Sequence, residues 1–211
     1  GYTENAYPFG AVYENTNALM INKMAKDILY GEFIDNIITV SQKNPASNFS
    51  LSSVIELTEK LKNTTPNGRI VIDIEGDSNN VILKDGDRLL IPERPNHIYI
   101  YGEVSYEGAL KFEPTESLDY YISKSGGLKD NANNKAIYVL HPNGDTERSN
   151  LKRSLFQSSP NSVLTLHPGS IIFVPRGIDD TATNRLAAQA YVSILGNIGI
   201  ALASLSSINN N

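Results

Sequence analysis

The chain has 211 residues, a net charge of −5 and no cysteine. Its length allows one or two domains, and 40% hydrophobic residues permit a true core. An acidic balance with no Lys/Arg run argues against nucleic acid, and the missing cysteines exclude a disulfide framework, a thiolate metal site and a Cys nucleophile.

In chain order, Gly1-Tyr-Thr-Glu-Asn-Ala6 leads into an apolar, strand-like segment from Phe9 to Tyr13. Helix is predicted from Thr16 to about Val40. Leu19, Met20, Met24, Ile28, Leu29, Phe33, Ile37 and Ile38 recur there at helical spacing, with a break expected at Gly31. Asn44-Pro45-Ala-Ser-Asn is a loop by composition. A second helix follows, with Ser53 and Glu56 as its capping box and Val54, Leu57 and Leu61 as its apolar stripe. Arg69 to Ile74 alternates as a half-buried strand, with Ile70, Ile72 and Ile74 inward.

From His97 to Glu103 a strand places Ile98 and Ile100 on one face and Tyr99 and Tyr101 on the other. A turn and a second strand, Ala109 to Phe112, lead to a short helix from Pro114 through Ser123, stopped by Ser125-Gly126-Gly127. Ala136 to His141 and Asp145 to Ser149 flank an Asn143-Gly144 hairpin turn. After a helical turn near Leu151 to Phe156, strands Val163 to Leu166 and Ile171 to Val174 close the unit.

The chain also repeats itself. Lys84-Asp-Gly-Asp-Arg-Leu-Leu-Ile-Pro92 parallels His167-Pro-Gly-Ser-Ile-Ile-Phe-Val-Pro175, an offset of 83 (from 92 to 175). Gly1 to Ala6 parallels Gly127-Leu-Lys-Asp-Asn-Ala132, an offset of 126. The first copy therefore carries an insertion of 43 residues (126 less 83) between its landmarks, and it lacks everything before Gly1. The chain reads as the tail of a longer protein.

The last charge is Arg185. Leu186 to Ile208, 23 residues, would make a helix ~34 Å long, against a bilayer core of ~30 Å. Gln189, Ser193, Asn197, Ser204 and Ser207 fall on one side, and Tyr191, Ile194, Leu195, Ile198, Leu202, Leu205 and Ile208 on the other. Ile200 interrupts the polar stripe, and Gly196 and Gly199 weaken the helix. Two readings stand: a stave of a membrane-crossing helical ring, or an amphipathic helix packed on its own domain.

Gly68-Arg-Ile-Val-Ile-Asp73, Leu83 to Pro92, Gly102-Glu-Val104 and Tyr121-Ile-Ser-Lys-Ser-Gly-Gly127 resemble the SLBB domains of bacterial outer-membrane polysaccharide export proteins of the Wza and KpsD type. Order, spacing and repetition carry the resemblance over almost the whole chain. It implies an α+β fold of tandem β-grasp units. Residues 1–94 would be a partial unit with a helical insertion at about 14–66. Residues 95–177 would be a complete unit, and 178–211 a C-terminal amphipathic membrane helix. It further implies export of capsular or exopolysaccharide through an octamer-like homo-oligomeric ring. That ring would be anchored in the outer membrane, with its β-grasp units in the periplasm and an inner-membrane co-polymerase as partner. Tyr191, Ile194, Leu195, Ile198, Leu202 and Leu205 would then face lipid, and Gln189, Ser193, Asn197 and Ser204 the lumen. The alternative is a soluble periplasmic β-grasp accessory protein that binds glycan or the exporter. The chain departs from the family pattern at Tyr106-Glu107-Gly108, where Pro-Gly is usual, and it has no upstream export signature domain or acylated Cys.

No cofactor, metal or enzymatic activity is expected. Asp85 and Asp87 are candidate paired carboxylates, but their turn repeats as Pro168 and Ser170, which favours a structural role. His97, His141 and His167 lack ligand spacing, and Ser149-Asn-Leu-Lys152 lacks the companion motifs of its enzyme class. Tyr99, Tyr101 and Tyr106 are candidate glycan or interface contacts, with sheet packing as the alternative.

Overall fold

A computed structural model describes residues 2–43, 58–72, 74, 82–149 and 164–177. The C-terminal stretch, with every residue assigned above to lipid or lumen, lies outside them, as do the capping box at Ser53 and Glu56 and the helical turn near Leu151. The described residues form an α+β arrangement with two sheets.

The first sheet has the order β2-β1-β3, built from β1 (Val12–Glu14), β2 (Arg69–Ile70) and β3 (Arg88–Leu90), both neighbours antiparallel to β1. Between β1 and β2 runs α1 (Thr16–Lys43), followed by helical residues 58–63 (α2). Asn15 starts α1 as its cap: its Oδ1 accepts from the backbone N–H of Asn17 at 2.9 Å and of Ala18 at 3.2 Å. The break expected at Gly31 is absent. Gly31 stays helical in open surroundings, at a cost of about 1 kcal/mol that neighbouring helix formers absorb. Met20, Met24 and Ile28 are each 60–65% exposed, so this apolar stripe is not core.

The second sheet has the order β5-β4-β8-β6-β7. Its strands are β4 (His97–Gly102), β5 (Gly108–Lys111), β6 (Ile137–Leu140), β7 (Thr146–Ser149) and β8 (Ile171–Val174). Only β4 and β8 run parallel; the other pairs are antiparallel. One face packs on α3 (Leu118–Lys124): Ile98, Ile100, Val139, Ile172 and Val174 of the strands meet Leu118, Tyr121 and Ile122 of the helix. Each such residue is worth roughly 1.5–3 kcal/mol of burial. Tyr121 ties the helix to the end of β5, its hydroxyl accepting from Glu113 N at 2.8 Å and donating to Glu113 O at 3.1 Å. The helix starts at Leu118 rather than Pro114, because residues 114–115 form a turn first. Residues 164–166, expected in a strand, lie outside the ladders, though Leu166 is buried in the core.

The internal repeat holds residue for residue. Val12–Leu90, Tyr13–Leu89 and Glu14–Arg88 pair in the first sheet; Tyr138–Phe173, Val139–Ile172 and Leu140–Ile171 pair in the second, displaced by 126 and 83. The bridge Ala6–Glu93 recurs as Ala132–Arg176 at the same displacements. So does a backbone bond: Tyr7 N donates to Pro92 O at 2.8 Å, and Asn133 N to Pro175 O at 2.8 Å. In the second unit β6 and β7 join through Asn143-Gly144, with Gly144 at φ +99°. In the first unit α1, α2 and the residues between them replace that turn.

Candidate functional site

The repeated turns organise the end of each unit. In the first, Asp87 accepts from the Tyr13 hydroxyl at 2.6 Å, from Asn15 Nδ2 at 2.5 Å and from Lys84 N at 2.8 Å. These donors, the Tyr13 hydroxyl foremost, hold the Asp87 carboxyl below its ordinary pKa. The carboxylate is committed to the turn, which supports the structural role over acid–base work. In the second unit Ser170 stands in its place. Its Oγ accepts from His167 N at 3.1 Å and lies 3.3 Å from His141 Nδ1. Gly86 (φ +86°) and Gly169 (φ +87°) make the same left-handed turn.

The end of the second unit packs against the first. Arg69, on β2, donates through Nη2 to Pro142 O, and its guanidinium lies under the β6–β7 turn. The rings of Phe9 and His167 are 4.1 Å apart, and those of His167 and His141 are 5.3 Å apart. Between the sheets lies a cavity of about 50 Å³. Tyr7, Arg69 and Pro92 line it from the first unit, and His97, Tyr99 and His141 from the second. Room of that size holds a few waters or one small polar group.

Charge and solvation in this junction are unusual. Burial pushes the Tyr7 hydroxyl up to about 12, so it stays protonated, and pulls Arg69 down to about 10, still cationic at neutral pH. His141 is 4% exposed, and burial lowers its pKa against the pull of Glu147 and Asp145. His167 is lowered by burial and by His141. Among the described residues, Tyr7 Oη, Arg69 Nε and His141 Nε2 are buried without a hydrogen-bond partner, although Glu147 Oε1 stands 3.4 Å from His141 Nε2.

The structure gathers some of the residues read from the sequence and separates others. Tyr99 lines the cavity, bonds His97 Nε2 through its hydroxyl at 2.8 Å, and stacks on Tyr101 with ring centroids 6.1 Å apart. Both are partly buried on the face of the sheet opposite α3, beside Tyr138 and Phe173. Tyr106 is 75% exposed and packs elsewhere, on Gly126. The three histidines, distant in sequence, converge at the junction, yet no group of three or more His, Cys, Asp or Glu among the described residues is placed to hold a metal. Sequence reasoning missed Tyr7 and Arg69 as site residues. The signal within reach was the repeat itself, which maps Asn15 onto His141 and so marks a polar position altered between copies.

No family model matches the chain. Two curated proteins from Escherichia coli, each described as polysialic acid transport protein KpsD, are 31% identical to it over 133 residues. The match covers 63% of this chain and 24% of each relative, so it spans about a quarter of their length. The relationship expected from the motifs is thereby shown: this chain is related to polysaccharide export proteins of the KpsD type.

Proposed function

We propose that the chain is the C-terminal part of an outer-membrane polysaccharide exporter. Two tandem β-grasp units, within the boundaries read from the sequence, stand side by side in the periplasm and gather copies into a ring. Leu186 to Ile208 supplies one stave of the exit, with Tyr191, Ile194, Leu195, Ile198, Leu202 and Leu205 toward lipid and Gln189, Ser193, Asn197 and Ser204 toward the polymer. The similarity to polysialic acid transport proteins carries this reading. The mixed sheet wrapped on α3 and its register-for-register partial copy support it, since side-by-side units suit a ring wall. Polymer synthesis and energy belong to inner-membrane partners; the chain's part is passage. Tyr99 and Tyr101 offer stacked rings for weak sugar contact, which suits a passenger that must be released.

The test is removal of Leu186–Asn211 from the whole protein in a capsule-forming host. Polymer should accumulate inside while the truncated protein remains folded. Undiminished surface polymer would overturn the exit role. Light scattering of the intact protein in detergent should report a ring; a detergent-independent monomer would instead identify a soluble accessory.

A further inference from the structure

One edge of the first sheet has no counterpart to what covers the second. The second sheet runs β5-β4-β8-β6-β7, and β3-β1-β2 repeats only its β8-β6-β7 part. Among the described residues, β3 therefore has no neighbour on the side where β8 takes β4. The side chains register the same difference. Leu83, Leu89 and Ile91 are the counterparts of Leu166, Ile172 and Val174, displaced by 83. The later three are 0–7% exposed and belong to the core packed on α3. Leu83 and Leu89 are 58% and 43% exposed, and Ile91 is half-buried. A leucine left in water forgoes much of the roughly 1.5–3 kcal/mol that core burial gives. An open strand edge beside such residues is a template for a further strand.

We propose that the open edge of β3 receives a strand running parallel to it, followed by a short helix that covers Leu83, Leu89 and Ile91. The occupant is a segment of the whole protein outside these 211 residues, built on the plan of β4, β5 and α3. The matched relatives have chain to spare for such a segment, since the match takes up 24% of each. A second copy has none to give, because its own β4, β5 and α3 are committed to its second sheet. Backbone geometry says where the newcomer bonds. Across the β4–β8 edge, Glu103 N donates to Val174 O at 2.8 Å. Ile91 is the counterpart of Val174, so its carbonyl faces the open edge. The N–H and C=O of one strand residue point to the same edge, and those of the next residue to the other. Leu89 and Ile91 therefore address the incoming strand, while Leu90 addresses β1 as the partner of Val12. Main-chain bonds give such strand addition its affinity, and alternate side chains its specificity. Ile98 and Ile100 of β4 show the pattern required, apolar residues at every second position toward the helix. The surface is a property of the repeat and does not rest on the exporter reading.

Site-resolved hydrogen exchange on the 211-residue chain and on the whole protein tests it. In the 211-residue chain the Leu89 and Ile91 amides should exchange on the order of a hundredfold faster than that of Leu90, which faces β1. In the whole protein that gap should close to within about tenfold. A gap of equal size in both would overturn the proposal, and so would slow exchange of all three amides in the shorter chain. Slowing that appears in the shorter chain only as its concentration rises would give the edge to a second copy and overturn the assignment equally. Leu83→Gln, placed outside the strand, reads the helix by itself. It should leave the shorter chain unaffected and speed Leu89 exchange roughly tenfold in the whole protein, where the new amide would be buried. The same effect in both chains, or none in either, would remove the covering helix.

Discussion

Asn15 and His141 are the same position in two copies of one unit. Asn15 N donates to Gly68 O at 2.9 Å, and His141 N donates to Asp145 O at 2.8 Å. Each side chain then turns to the matching residue of the next turn, Asn15 to Asp87 and His141 to Ser170. The first copy sets the half-buried Asp87 carboxylate against this position. The second buries a titratable ring between units, where charging it is opposed.

That difference makes the junction acid-sensitive. His141 has a folded pKa below its ordinary 6.5, so between those two values the unfolded chain binds more protons. The stability contributed by neutral His141 is complete above pH 6.5 and declines as pH falls from there toward the folded pKa. His167 adds in the same direction. Thermal unfolding followed between pH 8 and about 5 should show the midpoint falling below pH 6.5, with a shallower fall in His141→Asn. An equal slope in that variant would remove His141 as the cause.

Gly102 should tolerate no side chain. Its φ is +98°, and a Cβ there would run into Val174 O, the carbonyl that receives Glu103 N at 2.8 Å. Gly102→Ala is therefore expected to cost at least about 2 kcal/mol, from left-handed strain plus a displaced β4–β8 ladder. Urea denaturation measures it, and a loss under about 0.5 kcal/mol would show that the strand end yields freely. The Gly-Glu-Val motif that carried the family resemblance thus marks a backbone crossing.

Arg69 and Gly144 should be energetically coupled. A Cβ on Gly144 would stand 2.7 Å from Arg69 Nε, and φ +99° strains any side chain there. Gly144→Ala carries both costs in the parent chain, but only the strain, about 1–2 kcal/mol, beside Arg69→Ala, whose side chain stops short of the turn. A double-mutant cycle should return a coupling of roughly 0.5–3 kcal/mol. Additive losses would mean that the guanidinium does not pack under the turn in solution.

Local pattern made the second unit legible. The alternation of Ile98 and Ile100 with Tyr99 and Tyr101, the Asn143-Gly144 turn and the stop at Gly126-Gly127 each depend on near neighbours, and each appears where it was expected. The repeat was legible because the spacing of turn and strand was kept while side chains changed. The junction was not. Tyr7, Arg69 and His141 come from segments 62 and 72 residues apart in the chain, and nothing local distinguishes a tyrosine aimed at a partner unit from one packed in its own sheet. In α1, likewise, helical spacing of apolar residues reports a face but not what covers it, and Met20, Met24 and Ile28 stand exposed.

That exposed face gives the last expectation. Met20, Met24 and Ile28 follow one another at i, i+4 and i+8, and all three are exposed, so they contribute little burial to this chain. Met20→Gln, Met24→Gln and Ile28→Gln together should change unfolding free energy by less than about 1.5 kcal/mol, the sum of three ordinary surface substitutions. A core stripe of the same composition would lose several times that amount. Chemical denaturation of the triple variant separates the two cases, and a loss well above the surface value would show that α1 is covered in the free protein.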